Sequence, residues 1–541
     1  MNNRLYRVIF NKRRGQMVAV AENARREGKG EGEGPGAAVE APPFWAALRG
    51  LPFSVMLAFG GALILCPSPA QAQGIHADPN APAHQQPTVT QTANGLPQVN
   101  IQTPSAKGVS MNQYRQFDVA AKGAILNNAG KDAQTQLAGW VQANPNLAGG
   151  EARIIVNQVN SANPSQLKGY IEVAGQRAEV IIANASGILV NGGGFINASR
   201  VTLSTGEPLI EGGELKGHQV RVGTVRIEGK GLDTKDANYT QILAKAAEIN
   251  AGIWGKEIRV VAGSNNIDAQ GNATPVADNA PKPQVSIDTG ELGGMYAGKI
   301  TLVSSDKGVG VNNAGQILAG AGGLQIDANG QLSVSGSLSS QGNASLNTAA
   351  LKNTGTLAAK ELRARNQGKL ANQGTISAER LDIETGSLTN QGEITQTGLQ
   401  ALNVKAKSLS NLNGGLIGML MPQEEATEGS PALSERTVIK GDADTDGGGD
   451  GQTPLELTPG QLIVREDYTN DGGQLGASGG VNLALSHTLE NRGSLLLNQL
   501  SAQGALLDNR QGTLLARLAD IHVTLLENRE GDITLTERLN A

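Results

Sequence analysis

A short asparagine-containing unit that recurs about every 20 residues constrains the fold of this chain more than any other feature does. Asn-x-Gly or a near variant occurs at two sets of positions: Asn353, Asn372 and Asn390, then Asn470, Asn491, Asn509 and Asn528. Asn313 precedes the first set by 40 residues, or two periods. Aliphatic residues flank most of these sites, as in LKNTGTL, LTNQGEI and LENRGSL. Such a period indicates one supersecondary unit copied in series.

One such unit is too small to bury its own apolar face, so neighbouring units must pack and hydrogen-bond on each other. Coils stacked about 4.8 Å apart bring the turn asparagines into line, where their side chains form ladders. The composition also favours stacked repeats. Aromatic residues, which bury the most area in ordinary globular cores, make up only 3% of the chain, and Gly accounts for 72 of its 541 residues. We therefore predict an all-β chain folded as a right-handed parallel β-helix, a solenoid with an amino-terminal cap.

The first half of the chain carries short β-rich runs separated by Gly and Asn. These runs predict strands at residues 153–159, 170–173, 178–183, 188–191 and 201–204. The apolar alternation over Val220, Val222, Val225 and Ile227 predicts one strand face with one slip of register. The segment from Ile242 to Ile249 is the only short candidate for a helix.

Residues 1–72 have the organisation of an extended secretory signal peptide. A basic run is followed by an apolar run at residues 55–65 and by the small-residue pattern Ala70-Gln71-Ala72, which predicts cleavage between Ala72 and Gln73. The apolar run is shorter than the roughly 20 residues that span a bilayer as a helix, so no integral membrane span is expected in the mature chain. Lipidation of Cys66 is not expected, because the bulky Leu65 precedes it.

Residues 421–458 interrupt the repeats with an acidic, Gly-rich segment that predicts a flexible loop. Asp442, Asp444, Asp446 and Gly447 imitate the start of an EF-hand loop, but Thr453 stands where that loop needs a bidentate Glu. A solvated acidic loop is therefore favoured over a calcium site. The chain ends inside the repeat pattern, and we therefore expect a truncated gene product or a fragment of a longer protein.

Little in the sequence indicates catalysis, a cofactor or a metal. The histidines are scattered and are expected to be exposed or in loops: His76, His84, His218, His487 and His522. The net charge of -5 and the lack of a basic stripe with interleaved aromatics argue against nucleic-acid binding. Parallel β-helices include polysaccharide lyases and hydrolases with charged clusters on one face. Such an enzyme stays open as an alternative, its face lined by Arg153, Arg177, Arg200 and Arg221.

Two turn sequences stand 40 residues apart: Asn144-Pro145-Asn146-Leu147 and Asn184-Ala185-Ser186-Gly187-Ile188. Asn tolerates the left-handed region and Pro fixes φ, so both can be plain corners of a β-helix. However, NPNL and NPNGI-like turns mark the secretion domain of the filamentous haemagglutinin family, which the chain resembles. Segments 114–128, 163–197, 250–265 and 292–310 resemble that family too, over about residues 85–320. The second turn departs from the pattern, because Ala185-Ser186 replaces the usual Pro-Asn, and this puts the rigidity of that corner in doubt.

The resemblance implies a two-partner-secretion exoprotein of a Gram-negative bacterium, exported through Sec and then a dedicated outer-membrane TpsB-type transporter. It implies that the transporter's POTRA domains recognise a secretion domain at residues 73–320. Haemagglutinin-like repeats would follow at 321–420, and further repeats at 459–541. The implied function is that of a non-enzymatic adhesin that binds a receptor on host or sibling cells. The alternative is the amino-terminal stalk of a contact-dependent growth-inhibition toxin.

Overall fold

The computed structural model describes residues 6–11, 16–21, 74–277, 282–398, 401–419, 459–476 and 480–540. The chain divides into two compact units, residues 1–71 and residues 72–541. In the first unit, strands β1 (Tyr6–Asn11) and β2 (Gln16–Ala21) form an antiparallel hairpin with Tyr6 opposite Ala21.

The second unit is a stack of β-coils. Its first strands are β3 (Ile75–Ala77), β4 (Thr88–Gln91), β5 (Pro97–Asn100), β6 (Val109–Phe117), β7 (Ala124–Asn128), β8 (Ala133–Thr135), β9 (Gly139–Val141), β10 (Ile154–Val159), β11 (Ser165–Leu167), β12 (Tyr170–Gly175), β13 (Ala178–Asn184), β14 (Ile188–Val190), β15 (Gly193–Ile196) and β16 (Ala198–Ser204). Two 3₁₀ helices lie among them, Ala83–Gln85 and Pro145–Leu147. The strands predicted at residues 153–204 are therefore confirmed, with small shifts of their ends.

The middle of the stack contains β17 (Glu207–Glu211), β18 (Glu214–Val220), β19 (Thr224–Ile227), β20 (Leu232–Thr234), β21 (Tyr239–Ala244), β22 (Ala246–Ile249), β23 (Gly252–Gly255), β24 (Glu257–Ala262), β25 (Asn265–Asp268), β26 (Ala273–Pro275), β27 (Val285–Thr289), β28 (Gly294–Ser304), β29 (Gly310–Asn313) and β30 (Gln316–Val334). The remaining strands are β31 (Ser337–Asn353), β32 (Thr356–Asn366), β33 (Lys369–Asn372), β34 (Thr375–Asn390), β35 (Glu393–Gln396), β36 (Asn403–Leu412), β37 (Leu416–Met419), β38 (Gly460–Val464), β39 (Asp467–Asp471), β40 (Gln474–Gly476), β41 (Val481–Leu485), β42 (Thr488–Asn491), β43 (Ser494–Asp508), β44 (Thr513–Glu527) and β45 (Asp532–Asn540).

Each coil contributes strands to three parallel sheets, which we call faces A, B and C. Face A begins with β6, β10, β13, β16, β21 and β24. Face B begins with β11, β14, β19, β22, β27 and β29. Face C begins with β5, β7, β12, β15, β20 and β23. In the second half, single long strands such as β30 and β31 bend through the corners and serve all three faces. The predicted parallel β-helix is confirmed.

The core is a set of aliphatic columns in strict register between coils. On face C, one column runs Leu338, Leu357, Ile376, Ile394, Ile417, Leu475, Leu495 and Leu514. All eight side chains are at most 2% exposed. Each coil thus adds one aliphatic residue to a layer that it could not bury alone, as the repeat predicted.

The asparagines of face B form the predicted ladder. The side-chain amide of each donates to the side-chain carbonyl of the next at 2.7–3.1 Å, in the order Asn353, Asn372, Asn390, Asn411, Asn470, Asn491, Asn509 and Asn528. The sequence missed Asn411, because its glycine is displaced from the Asn-x-Gly spacing. Asn313 is outside the ladder, since Val334 occupies the equivalent position in the coil between it and Asn353.

Two sequence predictions are wrong. The helix candidate from Ile242 to Ile249 is two strands, β21 and β22, separated by a corner at Lys245. The alternation over Val220–Ile227 is not one strand either. Val220 ends β18, Val222 is 51% exposed between strands, and Val225 and Ile227 belong to β19 on another sheet. In both places the pattern of apolar residues continues across a corner between two strands, and the sequence does not reveal that corner.

An antiparallel sheet of β17, β18, β25 and β26 lies outside the coils, and no sequence pattern predicted it. It covers the outer side of face A, where Ile210 and Leu215 pack against the cluster of Val156 and Ile181. Ile267 packs in the same way against a second cluster that contains Val261. Antiparallel strands also close the amino-terminal end of the stack, since β3 pairs with β6 and β4 with β5.

Candidate functional site

The sequence predicted a cleavage site, an acidic segment, two asparagine turns and a set of scattered charged residues. The cleavage site at Ala72 and Gln73 lies outside the described residues, as do Asp442, Asp444, Asp446, Gly447 and Thr453 of the acidic segment. The two asparagine turns and the scattered charged residues are described.

The first turn is capped by its own asparagine. Residues Pro145–Leu147 form a 3₁₀ helix with Asn144 as the N-cap. The Asn144 side chain accepts a hydrogen bond from the backbone N–H of Asn146 at 3.0 Å, and Leu147 N–H donates to the Asn144 carbonyl at 3.1 Å. Pro145 suits the first helical position, because it lacks an N–H and its fixed φ matches the helix.

The same turn ties the cap of the solenoid together. The Asn144 amide donates at 2.9 Å to two carbonyls, those of Ile101 just after β5 and of Asn127 in β7. Asn146 also donates to the Ile101 carbonyl, at 3.1 Å. Asn144 is only 3% exposed, so its amide makes these hydrogen bonds away from water. Leu147 is 4% exposed and packs into the core. The turn therefore reinforces the carboxyl ends of two strands, β5 and β7, that already pair with each other on face C.

The second turn repeats this geometry at the corner from face A to face B. Asn184 accepts from Ser186 N–H at 2.9 Å, and Gly187 N–H donates to the Asn184 carbonyl at 3.0 Å. Gly187 has a φ of 114°, a conformation that favours glycine over other residues. Ile188 follows as the buried first residue of β14.

Ser186 and Asn184 also join this turn to the previous coil. Ser186 Oγ donates to the Ser161 carbonyl at 3.0 Å, and Asn184 Nδ2 donates to the Asn163 carbonyl at 2.9 Å. Ala185 stands where Pro145 stands in the first turn. The two sequences thus build one kind of asparagine-capped turn even though the second lacks the Pro-Asn pair.

Two histidines depart from the expectation that all are exposed or in loops: His76 is partly buried in β3, and His218 is almost fully buried. His218 lies in β18, a strand of the antiparallel sheet that covers face A, and is 5% exposed. Burial, together with the smaller effect of the nearby positive charge of Arg200, lowers the pKa of His218 to about 4. No sequence pattern indicates the burial of His218, because the antiparallel sheet was not predicted.

The arginines of the enzyme alternative make structural contacts instead of forming one cluster. Arg177 donates to the Ala198 carbonyl at 2.9 Å, and Arg221 donates to the Asn265 carbonyl at 3.1 Å. Arg153 donates to the Lys107 carbonyl, and Arg200 lies 4.4 Å from the ring centroid of Tyr239. Within the described ranges, no group of three or more His, Cys, Asp or Glu residues is placed to hold a metal. In the same ranges, no helix is long and apolar enough to cross a bilayer.

Comparisons with known families support the secretion-domain interpretation. The family model "TPS secretion domain" matches residues 73–334, and "Extended Signal Peptide of Type V secretion system" matches residues 1–48. The chain belongs to the two-partner-secretion exoproteins. As a member, it is exported through Sec to the cell surface or the extracellular space of a Gram-negative bacterium, and its secretion domain implies a TpsB transporter as partner.

Two curated relatives of this exoprotein are toxins by name. It is 48% identical over 334 residues to "Toxin CdiA" of Yersinia pestis, which covers 61% of this chain and 10% of the relative. It is 47% identical over 343 residues to "tRNA nuclease CdiA-2" of Burkholderia pseudomallei strain 1026b, covering 62% of this chain and 11% of the relative. The exoprotein thus spans about a tenth of the length of these relatives. The crystal structure of a filamentous hemagglutinin secretion domain aligns with a TM-score of 0.46 and 34% identity, covering 54% of this chain and 96% of that chain.

Proposed function

We propose that the asparagine turn at residues 144–147 is required for export through the TpsB transporter. The supporting observation is that the buried Asn144 amide donates to carbonyls at the carboxyl ends of two paired strands, β5 and β7, and so fixes the corner at which the first coil closes. The POTRA domains of the transporter bind an extended segment of the unfolded chain by β-augmentation, in which main-chain hydrogen bonds supply the affinity. Once this segment emerges, the turn nucleates the first coil.

Folding outside the cell then favours outward movement. Each coil that docks lowers the free energy of the emerged chain, because it buries aliphatic side chains that no single coil can bury. No ATP is needed at the outer membrane for such a bias. The first coil matters most, since every later coil is templated on the one before it.

Export of matched asparagine variants tests this role. Asn144→Ala removes both hydrogen bonds from the turn to the strand ends, and we expect at least a tenfold fall in chain reaching the medium at unchanged total synthesis. Asn184→Ala removes the equivalent cap in a later coil and is expected to be exported within about twofold of wild type. Export of Asn144→Ala at the wild-type level would refute the role of the turn.

We propose further that this chain is the exported stalk of a contact-dependent growth-inhibition effector and is not itself an enzyme. The observation that supports this is its 48% identity to the Yersinia pestis toxin over 334 residues. In this proposal the chain carries and displays the effector, whereas the nuclease activity in the relatives' names belongs to parts that this chain does not match.

A chimera tests the stalk function. Residues 1–334 of this chain would replace the matching segment of the Yersinia pestis toxin, and inhibitor cells would be mixed with target cells lacking immunity. The proposal predicts inhibition at close to the parental level. A chimera that reaches the surface but inhibits no target cell would contradict it. The adhesin function stays a prediction, tested by comparing attachment of cells that display the chain with cells that lack the transporter.

A further inference from the structure

Outward aromatic residues line up on face C of the secretion domain. Tyr170, Gly194, Asp233, Trp254, Tyr296 and Leu318 occupy equivalent positions in six consecutive coils. We call the side chains of Tyr170, Trp254 and Tyr296 the aromatic strip, together with the polar side chains of Asp233, Lys235 and Gln316 beside them. The chain has only 3 tryptophans and 6 tyrosines in 541 residues, so this concentration needs a reason.

Two of the three rings of the strip are nearly parallel. Trp254 and Tyr296 stack with their centroids 6.1 Å apart and their planes 12° apart. The Lys235 ammonium lies 5.7 Å from the Trp254 ring centroid. Tyr170, three coils earlier, donates from its hydroxyl to Asp233 at 3.1 Å.

Glycines make room for each ring. A Cβ added at Gly252 would lie 2.4 Å from the Trp254 ring, and one added at Gly194 would lie 2.3 Å from the Tyr170 ring. A Cβ added at Gly294 would lie 2.8 Å from the Tyr296 ring and 2.6 Å from its hydroxyl oxygen. The rings therefore lie against bare backbone, a packing that any other residue at these glycines would prevent.

The strip is not part of the hydrophobic core. In the same strands, the inward positions belong to Ile253 and Met295, both fully buried in the core cluster. The outward rings keep part of their surface in water, and Tyr170 is 36% exposed. Aromatic surface left open beside polar side chains is typical of a binding site.

The flanking polar groups identify the chemistry of the ligand. Asp233 and Lys235 form an ion pair at 3.9 Å and so offset each other's charge. Tyr296 and Gln316 are hydrogen-bonded at 3.1 Å, which places an amide at the edge of its ring. A pyranose sugar has apolar C–H faces that stack on aromatic rings and hydroxyl edges that bond to carboxylate, ammonium and amide groups.

We propose that the aromatic strip binds an extended, uncharged glycan of pyranose sugars that runs along the solenoid axis. The coil spacing of about 4.8 Å is close to the length of one sugar ring, so successive sugars meet successive coils. A flat ribbon of sugars matches the near-parallel rings of Trp254 and Tyr296, whereas a helical glycan curves away from them. This site is independent of export and of the toxin-stalk function.

The test uses the exported chain with Trp140→Phe, which leaves Trp254 as its fluorescent reporter because Trp45 precedes the predicted cleavage site. Cellohexaose is the flat probe, maltohexaose the helical one, and a galacturonic acid hexamer the charged one. We expect saturable quenching or shift of Trp254 emission with cellohexaose and at least tenfold weaker binding of the other two.

Variants separate binding from folding. Tyr296→Leu keeps apolar bulk but removes the ring, and we expect it to weaken cellohexaose binding at least tenfold with an unchanged circular dichroism spectrum. Tyr170→Leu, three coils from the Trp254–Tyr296 stack, provides a second test if Tyr296→Leu does not fold. Leu209→Ala, an exposed apolar residue on the separate antiparallel sheet, is the control and should bind normally. No saturable response to cellohexaose, tighter binding of either other probe, or normal binding by a folded strip variant would overturn the proposal.

Discussion

The side-chain amide of Asn411 donates a hydrogen bond to the side-chain carbonyl of Asn470 at 3.1 Å, although 59 positions separate them in the sequence. In most of the ladder the next asparagine is 18–21 positions away. The coil register therefore continues across the acidic segment as if that segment were absent.

Shortening the acidic segment should leave the fold intact. Replacing residues 421–458 with a linker of about four residues halves the loop length roughly three times. Because a shorter loop costs less entropy to close, we expect the solenoid to be stabilised by about 1–2 kcal/mol. The urea midpoint of the purified chain measures this. A large loss of stability would mean that the segment holds the two sets of repeats together.

The asparagine ladder should contribute more to stability than outward amide pairs. Asn372 is 1% exposed, accepts from Asn353 and donates to Asn390, both at 2.8 Å. Asn372→Ala leaves buried partners unsatisfied, so we expect the free energy of unfolding to fall by about 2–3 kcal/mol.

The adjacent residue is a matched control for this variant. Gln373 donates to Gln391 at 2.9 Å on the exposed side of the same coil, so Gln373→Ala should change stability by less than about 0.5 kcal/mol. Equal effects of the two substitutions in urea unfolding would show that the ladder adds nothing beyond an ordinary amide pair.

The ladder illustrates what sequence patterns predict well. Asn353 and Asn372 could be aligned from their spacing, because stacked coils convert a sequence period into a spatial column. Asn411 was missed, since Asn413 with a φ of 54° lengthens its turn and displaces the glycine. A pattern search detects only a fixed spacing between Asn and Gly. The fold accepts an extra turn residue provided that the Asn411 side chain still lies in line with the other ladder asparagines.

The second asparagine turn should accept the residue that it lacks. Ala185 corresponds to Pro145, and its N–H donates to no backbone carbonyl of the described residues. We expect Ala185→Pro to raise the free energy of unfolding by about 0.4–1 kcal/mol, because proline restricts the unfolded chain. Pro145→Ala should lower it by a similar amount. Destabilisation by Ala185→Pro in thermal unfolding would show that the two turns differ in backbone conformation.

His218 should make the secretion domain acid-sensitive. Its pKa is about 4 in the folded protein against 6.5 in the unfolded chain, because burial disfavours the charged ring. The unfolded chain therefore binds more protons between these values, and stability falls as the pH drops from 6.5 towards 4, by up to about 3 kcal/mol.

Unfolding of wild type and His218→Gln at several pH values measures this contribution. The variant should lose most of the slope between pH 6.5 and 4 because it has no ring to protonate. An unchanged slope would assign the acid sensitivity to other groups.

The turns and the covering sheet mark the limit of prediction from sequence. Asn144 and Asn184 were recognised because a short motif carries their turn geometry. Which carbonyls they reach could not be predicted, since Ile101 and Asn127 lie 43 and 17 residues away. The burial of His218 escaped detection for the same reason, because β18 and β25 meet only through long-range antiparallel pairing.

Export with and without the transporter tests the central claim most directly. The full chain would be produced in Gram-negative cells with its cognate TpsB transporter, with an empty vector, or with a different outer-membrane barrel. Chain in the medium and on protease-accessible cell surfaces would then be quantified. Membership of the two-partner-secretion exoproteins predicts surface or released chain only with the cognate transporter, whereas equal release in all three strains would contradict it.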